Sequence, residues 1–195
     1  MTLTLRDVAR EAVRDQVSKA AWTLFAEHGF EGTTVEQIAE AAGMSRRTFF
    51  RYFTGKEELV LDQLVKSASA VADALAERPV DEPAWPALRA ALQVSVQIQE
   101  EHADTTRRLL RMLGEEPALR SVLSERRRRW EELLAPHVAV RLPKRTSGRG
   151  PDPRARAVAA SAIACLETAQ QLWADHDRVR LSTLVDQAMA SVSPL

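Results

Sequence analysis

Between Thr33 and Lys56 the chain reads TTVEQIAEAAGMSRRTFFRYFTGK. Two helix caps with a glycine between them leave room there only for two short helices joined by a tight turn. Thr34 stands three residues before Gln37, the spacing of a capping box that opens a helix. Val35, Ile38, Ala39 and Ala42 recur at helical spacing and give that helix one apolar face. Gly43 ends it, because glycine takes the left-handed backbone a C-terminal cap requires. Ser45 is placed as the next N-cap. The outline is a helix-turn-helix, a motif whose second helix is the one that enters a DNA major groove.

Charge and periodicity say which face of that second helix would do the reading. At about 100° per residue, Arg46, Arg47, Phe50 and Arg51 fall within an arc of roughly 140°. Phe49 points the other way, toward a core. Arg46, Arg47, Arg51 and Lys56 lie in the interval from Glu40 to Glu57, which holds no acidic residue. An arginine fork can hold guanine O6 and N7, or a phosphate, with two bonds at once. The alternative is a solvated surface helix that carries arginines; the caps, the glycine turn and the flanking helices weigh against it.

The run AAWTLFAEHGFEGTTVEQIAEAAGMSRRTFFRYFTGKEEL, within Val17 to Leu59, resembles the N-terminal DNA-binding domain of the TetR family of bacterial regulators. The resemblance implies a phosphate contact at Thr34 and groove-reading positions at Glu36, Arg46, Arg47, Thr48, Arg51 and Tyr52. Ser45, at the start of the reading helix, is grouped with them. It also implies a phosphate-binding lysine at Lys56. One position departs from the family pattern: Phe50 stands where a tyrosine hydroxyl usually reaches a phosphate. The ring can still pack against sugar and thymine methyl, but the hydroxyl contact is lost. The C-terminal half resembles the mycofactocin-regulator-like branch, whose ligands include acyl-coenzyme A thioesters.

Composition limits what surrounds this motif. Lys plus Arg equal Asp plus Glu at 27 each, so any DNA contact must come from a local patch and not from a basic coat. The single Cys165 cannot form an intrachain disulfide, which fits a reducing cytoplasm. Arg6, Asp7, Arg10 and Glu11 interrupt the N-terminus where a signal peptide would need an apolar stretch. No apolar run approaches the roughly 18 residues of a membrane span. Few aromatics and glycines among many Ala, Leu, Arg and Glu predict an all-α protein of about nine helices. Residues 1–54 are expected to form the helix-turn-helix DNA-binding domain, and residues 55–195 a ligand-binding and dimerisation domain.

In order, residues 1–5 read as a frayed arm, and a first helix spans about 7–28. The helix-turn-helix follows, then a capping box at Thr54 and Glu57 opens a helix to about 77. Prolines 79, 83 and 86 break the chain. Further helices are expected over about 83–102, 104–113, 117–140, 154–175 and 181–192. The segment 143–153, PKRTSGRGPDP, reads as a flexible basic loop. From Ala155 to Leu166 the eighth helix is apolar nearly all round and rich in alanine, so it should be buried on more than one side. Ala157, Ala160, Ala164, Leu184 and Ala188 are the candidate contacts of a homodimer made by the last two helices. Such a dimer would set two recognition helices about 34 Å apart, or a multiple of that, to read a palindromic site.

The middle helices suggest a small-molecule cavity. Arg126 shares a face with Leu119, Val122, Trp130 and Leu133, where it can pair with a glutamate, snorkel, or meet an acidic ligand. Trp85, Met112, Trp130, Leu172 and Trp173 are bulky enough to line an apolar pocket, and Glu167 and Gln170 supply polar groups beside it. His28, His102, His137 and His176 are scattered near helix ends. Nothing resembles a two-histidine zinc helix, a phosphate loop or a nucleophile elbow, so no metal, cofactor or enzymatic chemistry is expected. The reading is a ligand-responsive transcriptional regulator, a repressor that binds double-stranded DNA as a homodimer and is released by a small apolar or acidic effector. A helical adaptor that reuses the fold without specific DNA binding is the alternative.

Overall fold

The computed structural model describes residues 4–144 and 150–192. Among them the chain forms nine α-helices and no strand: α1 (Leu5–His28), α2 (Val35–Ala41), α3 (Arg46–Phe49), α4 (Lys56–Glu77), α5 (Ala84–Glu101), α6 (Ala103–Glu115), α7 (Arg120–Ala139), α8 (Arg154–Asp175) and α9 (Leu181–Val192). A 3-10 turn, Pro117–Leu119, precedes α7. Two compact units divide the chain, one running to Gln63 and including Glu116–Val122, the other made of Leu64–Glu115 and the chain from Leu123 onward.

The first unit closes on aromatic rings. Phe25, Phe30, Phe49 and Phe53 are buried together with Val17, Ala21, Ile38 and Leu59. Ring centroids lie 5.3 Å apart for Phe25 and Phe30, and 5.4 Å for Phe49 and Phe53. Burying one such ring stabilises by about 1.5–3 kcal/mol, against roughly 1 kcal/mol for a good N-cap. The rings therefore hold the unit together, and the caps set where its helices begin. Gln16 of α1 donates to the carbonyl of Ala42 at 3.1 Å, fixing the C-terminal end of α2. Arg14 reaches from α1 to α4: its Nε donates to Asp62 at 3.0 Å, Nη2 to Glu58 at 3.1 Å, and Nη1 to the Tyr52 carbonyl. Its guanidinium also lies 4.3 Å from the Phe53 ring centroid.

The second unit packs α8 against α5, α6 and α9. Ala159, Ala162, Ile163, Cys165, Leu166, Ala169 and Trp173 face inward on α8, against a core that includes Leu88, Leu92 and Val96 of α5 and Val185 and Met189 of α9. Helix ends are tied by side chains from neighbouring helices. Glu100 of α5 accepts from the Ser182 amide and hydroxyl, both at 2.9 Å, and so caps the start of α9. Arg107 and Arg111 of α6 donate to the Trp173 and Ala174 carbonyls at 3.2 and 2.7 Å. These are the free carbonyls at the end of α8, where a cation also meets the negative end of the helix dipole.

Three local expectations are corrected. Thr4 and Leu5 are not part of a frayed arm: Thr4 and Asp7 form a reciprocal capping box, and α1 begins at Leu5. The carboxylate that closes back on Thr54 is Glu58, not Glu57, accepting from the Thr54 amide and hydroxyl at 2.6 and 2.9 Å. Helix α4 starts one residue later than its sequence suggests, so its third position is Glu58. The break expected over Gly114 to Pro117 begins later, because α6 continues through Gly114 to Glu115 before the 3-10 turn at Pro117. Of the basic loop expected over 143–153, residues 145–149 lie outside the described residues.

Candidate functional site

The turn between α2 and α3 is built as its caps dictate. The Thr34 hydroxyl accepts from the Gln37 amide at 3.2 Å, and Gln37 Oε1 accepts from the Thr34 amide at 2.8 Å. Gly43 takes a φ of 70°, the left-handed conformation that sends the Met44 amide back to the Ala39 carbonyl at 2.9 Å. Ser45 Oγ accepts from the Thr48 amide at 3.1 Å and starts α3. Phe49 is then fully buried while Arg46, Arg47, Phe50 and Arg51 are exposed. This very short helix is anchored by Phe49, and together with the turn after it presents three guanidinium groups and a ring to solvent.

Thr34, Glu36, Ser45 and the three arginines are exposed, and Thr48, Tyr52 and Lys56 are half-buried. The Ser45 and Thr48 hydroxyls lie 2.9 Å apart, and Arg46 meets both Glu36 and Phe50. Arg46 Nε lies 3.0 Å from Glu36 Oε1, and its guanidinium lies 5.5 Å from the Phe50 ring centroid. Lys56 is already engaged: its ammonium donates to the Phe30 and Thr33 carbonyls at 2.7 and 3.1 Å and sits 4.3 Å from the Phe30 centroid. An ammonium has three N–H donors, so one remains for another acceptor.

A second candidate site is a cavity of about 360 Å³ within the second unit, lined by Leu110, Leu113 and Gly114 of α6, Leu123, Ser124, Arg126 and Arg127 of α7, and Glu167, Gln170 and Gln171 of α8. Arg126, Glu167 and Gln170 from the expected pocket set come together there. The others do not line it. Trp130 is fully buried, donating its indole N–H to the Leu64 carbonyl at 3.0 Å, with the Arg126 guanidinium 5.2 Å from its ring. Trp173 is buried under Arg107, Met112 is half-buried and Leu172 is exposed. Trp85 donates to the Met189 carbonyl at 3.2 Å and lines a separate, more open groove of about 620 Å³ with Arg89 and Asp186. The spacing along α7 already puts Leu123 on its apolar stripe, whereas Leu110 and Leu113 of α6, which complete the apolar wall, were missed by sequence reasoning.

Arg126 is 4 % exposed. Burial pushes its guanidinium below the ordinary arginine range, and the Glu167 carboxylate only partly offsets this. Its Nη2 donates to Gln170 Oε1 at 3.3 Å, Nη1 stands 3.8 Å from Glu167, and Nε has no hydrogen-bond partner. The Glu167 carboxylate is meanwhile bonded to Arg127. No cluster of three or more metal-ligating side chains occurs among the described residues, and none of their helices is long and apolar enough to cross a membrane.

An anchored helix-turn-helix with a basic outer face, joined to a helical unit that carries a cavity, defines a DNA-binding regulator. Residues 18–62 match the family model for bacterial regulatory proteins of the tetR family, and residues 82–194 match that for the MftR C-terminal domain. The chain belongs to the TetR family of transcriptional regulators, which are DNA-binding proteins and not enzymes. It is 30% identical to the HTH-type transcriptional regulator TcmR of Streptomyces glaucescens, over 97% of this chain and 87% of that one. It is 27% identical to the mycofactocin biosynthesis regulator MftR of Mycobacterium tuberculosis, over 92% and 88%. The fold is also that of FadR of Thermus thermophilus in complex with lauroyl-CoA, at 21% identity and a TM-score of 0.60, covering 93% of this chain and 95% of that one.

Proposed function

We propose that the protein is a repressor that binds a palindromic operator as a homodimer and leaves it when a small effector enters the cavity between α6, α7 and α8. The observation that carries the DNA reading is the division of α3 and the turn after it: Phe49 is buried, and Arg46, Arg47, Phe50 and Arg51 are exposed. Arg47 sits near the start of α3, where recognition helices reach base edges. Lys56, at the N-terminus of α4, is placed to hold a phosphate together with the first amides of that helix. Thr34, Ser45, Thr48 and Tyr52 supply further phosphate and groove contacts.

The dimer rests on α8 and α9. Ala157, Ala164, Thr168 and Leu172 form an exposed, mostly small and apolar stripe on α8, with Ala160 at its margin. Leu184 and Ala188 of α9 are half-buried beside it. A second copy laid on that stripe gives a four-helix bundle and pairs two reading units. The effector reading draws on the cavity and on the family, in which FadR is seen with lauroyl-CoA. By its differential affinity the effector favours a conformation whose recognition helices no longer match the half-site spacing.

Titrations of Arg47→Ala and Lys56→Ala against a selected cognate duplex and a scrambled one, at several salt concentrations, test the DNA reading. Arg47→Ala should cost about 1–3 kcal/mol on the cognate duplex and relax preference at one base pair per half-site. Lys56→Ala should weaken both duplexes alike and flatten the salt slope by about one unit per half-site. Equal loss on both duplexes for Arg47→Ala would make Arg47 a phosphate clamp and move specificity to Arg46, Thr48 or Arg51.

A further inference from the structure

The cavity between α6, α7 and α8 has a charge balance that its walls do not close. Two arginines, Arg126 and Arg127, face one carboxylate, Glu167; the remaining lining residues are uncharged. Glu167 is bonded to Arg127, which is half-exposed at the rim, and stands 3.8 Å from Arg126, beyond hydrogen-bond range. A guanidinium has five N–H donors. Among the described residues the hydrogen bond made by the Arg126 guanidinium is the single one to Gln170.

That one bond opens a polar chain through an otherwise apolar core. Gln170 donates to Gln99 Oε1 at 2.7 Å, and Gln99 donates to the Ser95 carbonyl and hydroxyl at 3.1 and 3.0 Å. Ser95, Gln170 and Arg126 are all buried. This polar chain gives Arg126 one neutral acceptor, and its counter-charge is the Glu167 carboxylate at 3.8 Å, shared with Arg127. Burying a charge without a close partner destabilises a fold, and a hydrophobic residue of similar volume is often the more stable choice.

Resting on the effector reading above, we infer that this cavity takes a compact monoanion, a carboxylate on a short apolar body, whose oxygens meet the Arg126 guanidinium. Leu110, Leu113 and Leu123 supply the apolar wall for the body. A volume of about 360 Å³ lies near the small end of ligand pockets; it accommodates a short-chain or single-ring acid and is too small for a coenzyme A thioester. The ligand carboxylate competes with Glu167 for the same cation and completes the charge balance of the cavity.

Octanoate and its neutral partner octanamide are the probes, read by thermal melting and by quenching of tryptophan fluorescence, with Trp130 beside the guanidinium. Octanoate should raise the melting temperature of the wild type, and octanamide at the same concentration should leave it unchanged. Arg126→Met should raise the melting temperature of the ligand-free protein by about 2–4 °C and weaken octanoate at least about tenfold. Glu167→Gln removes the competing carboxylate: the ligand-free protein should melt lower, and octanoate should bind more tightly. Equal binding of octanoate and octanamide, or a response to lauroyl-CoA with none to octanoate, would overturn the inference, as would tighter octanoate binding by Arg126→Met. Octanoate that binds through Arg126 without loosening a cognate duplex would leave the ligand class standing and count against the effector role alone.

Discussion

Arg14 and Arg126 are both drawn into the interior of their units, and they are treated in opposite ways. Arg14 has two carboxylates, a carbonyl and an aromatic face around it, and its neighbours hold it above the ordinary arginine range although burial alone would lower it. Arg126 has a glutamine, a distant shared carboxylate and a tryptophan face, and burial lowers it. A cation surrounded by anions fastens helices together. A cation left short of anions is better explained by a ligand that arrives later. The first unit is thus built to hold one shape, and the second keeps part of its binding capacity open.

The sharpest way to break this contrast is to remove both charges. Arg14→Met should cost about 2 kcal/mol in a denaturant titration, below the usual value for a broken buried pair because water reaches Glu58 and Asp62. Arg126→Met should shift stability the other way. Two losses of similar size would erase the distinction between the two arginines.

A smaller effect follows from Glu58. Burial alone would raise its pKa, but hydrogen bonds from the Thr54 amide and hydroxyl and from Arg14 hold it below the ordinary glutamate value. A carboxyl depressed in the folded state stabilises above its unfolded pKa and loses that contribution as pH falls through the lowered one. Melting temperatures measured downward from pH 6 should therefore fall below about pH 4.5, and Glu58→Gln should flatten part of that slope. An unchanged acid limb in Glu58→Gln would remove the carboxylate from the fastening role given to it beside Arg14.

The smallest effect tests whether the reading face, too, is preset. Glu36 and Phe50 hold Arg46 between a carboxylate and a ring, in a pair more than half exposed. Glu36→Ala should relax preference at one base pair by about 1 kcal/mol and slightly strengthen binding to scrambled DNA by removing an anion near phosphates. An unaltered preference in a selection from randomised half-sites would show that the Glu36 carboxylate does not direct Arg46.

The first unit was legible because its signals are local. Thr34 with Gln37, Gly43, and Ser45 with Thr48 each act within a few residues, and the buried Phe49 follows from spacing alone. Thr4 and Asp7 were overlooked because aspartate is a less usual partner in a capping box, and Glu58 because one residue of helix offset exchanges it with Glu57. The cavity was legible only in part. The spacing of positions 119, 122, 126, 130 and 133 put Arg126 on an inward face, and Glu167 and Gln170 stood out beside an apolar run. Which bulky residues shared a wall with them depended on how α6, α7 and α8 lie together. Leu172 and Trp173 are adjacent in sequence, yet about 100° of helix places one in solvent and the other in the core.

Cys165 gives the molecule an experimental convenience. It is the only cysteine in the chain, it is buried on α8, and burial raises its thiol pKa, so labelling reagents that need an exposed thiolate will react slowly with it. A single cysteine placed at an exposed site on α3 would then be the one fast-reacting thiol per chain. In the dimer proposed above, a spin label or dye attached there becomes a molecular ruler across the two recognition helices. The spacing between them can be followed, with the native Cys165 left in place, as acids of different length are added.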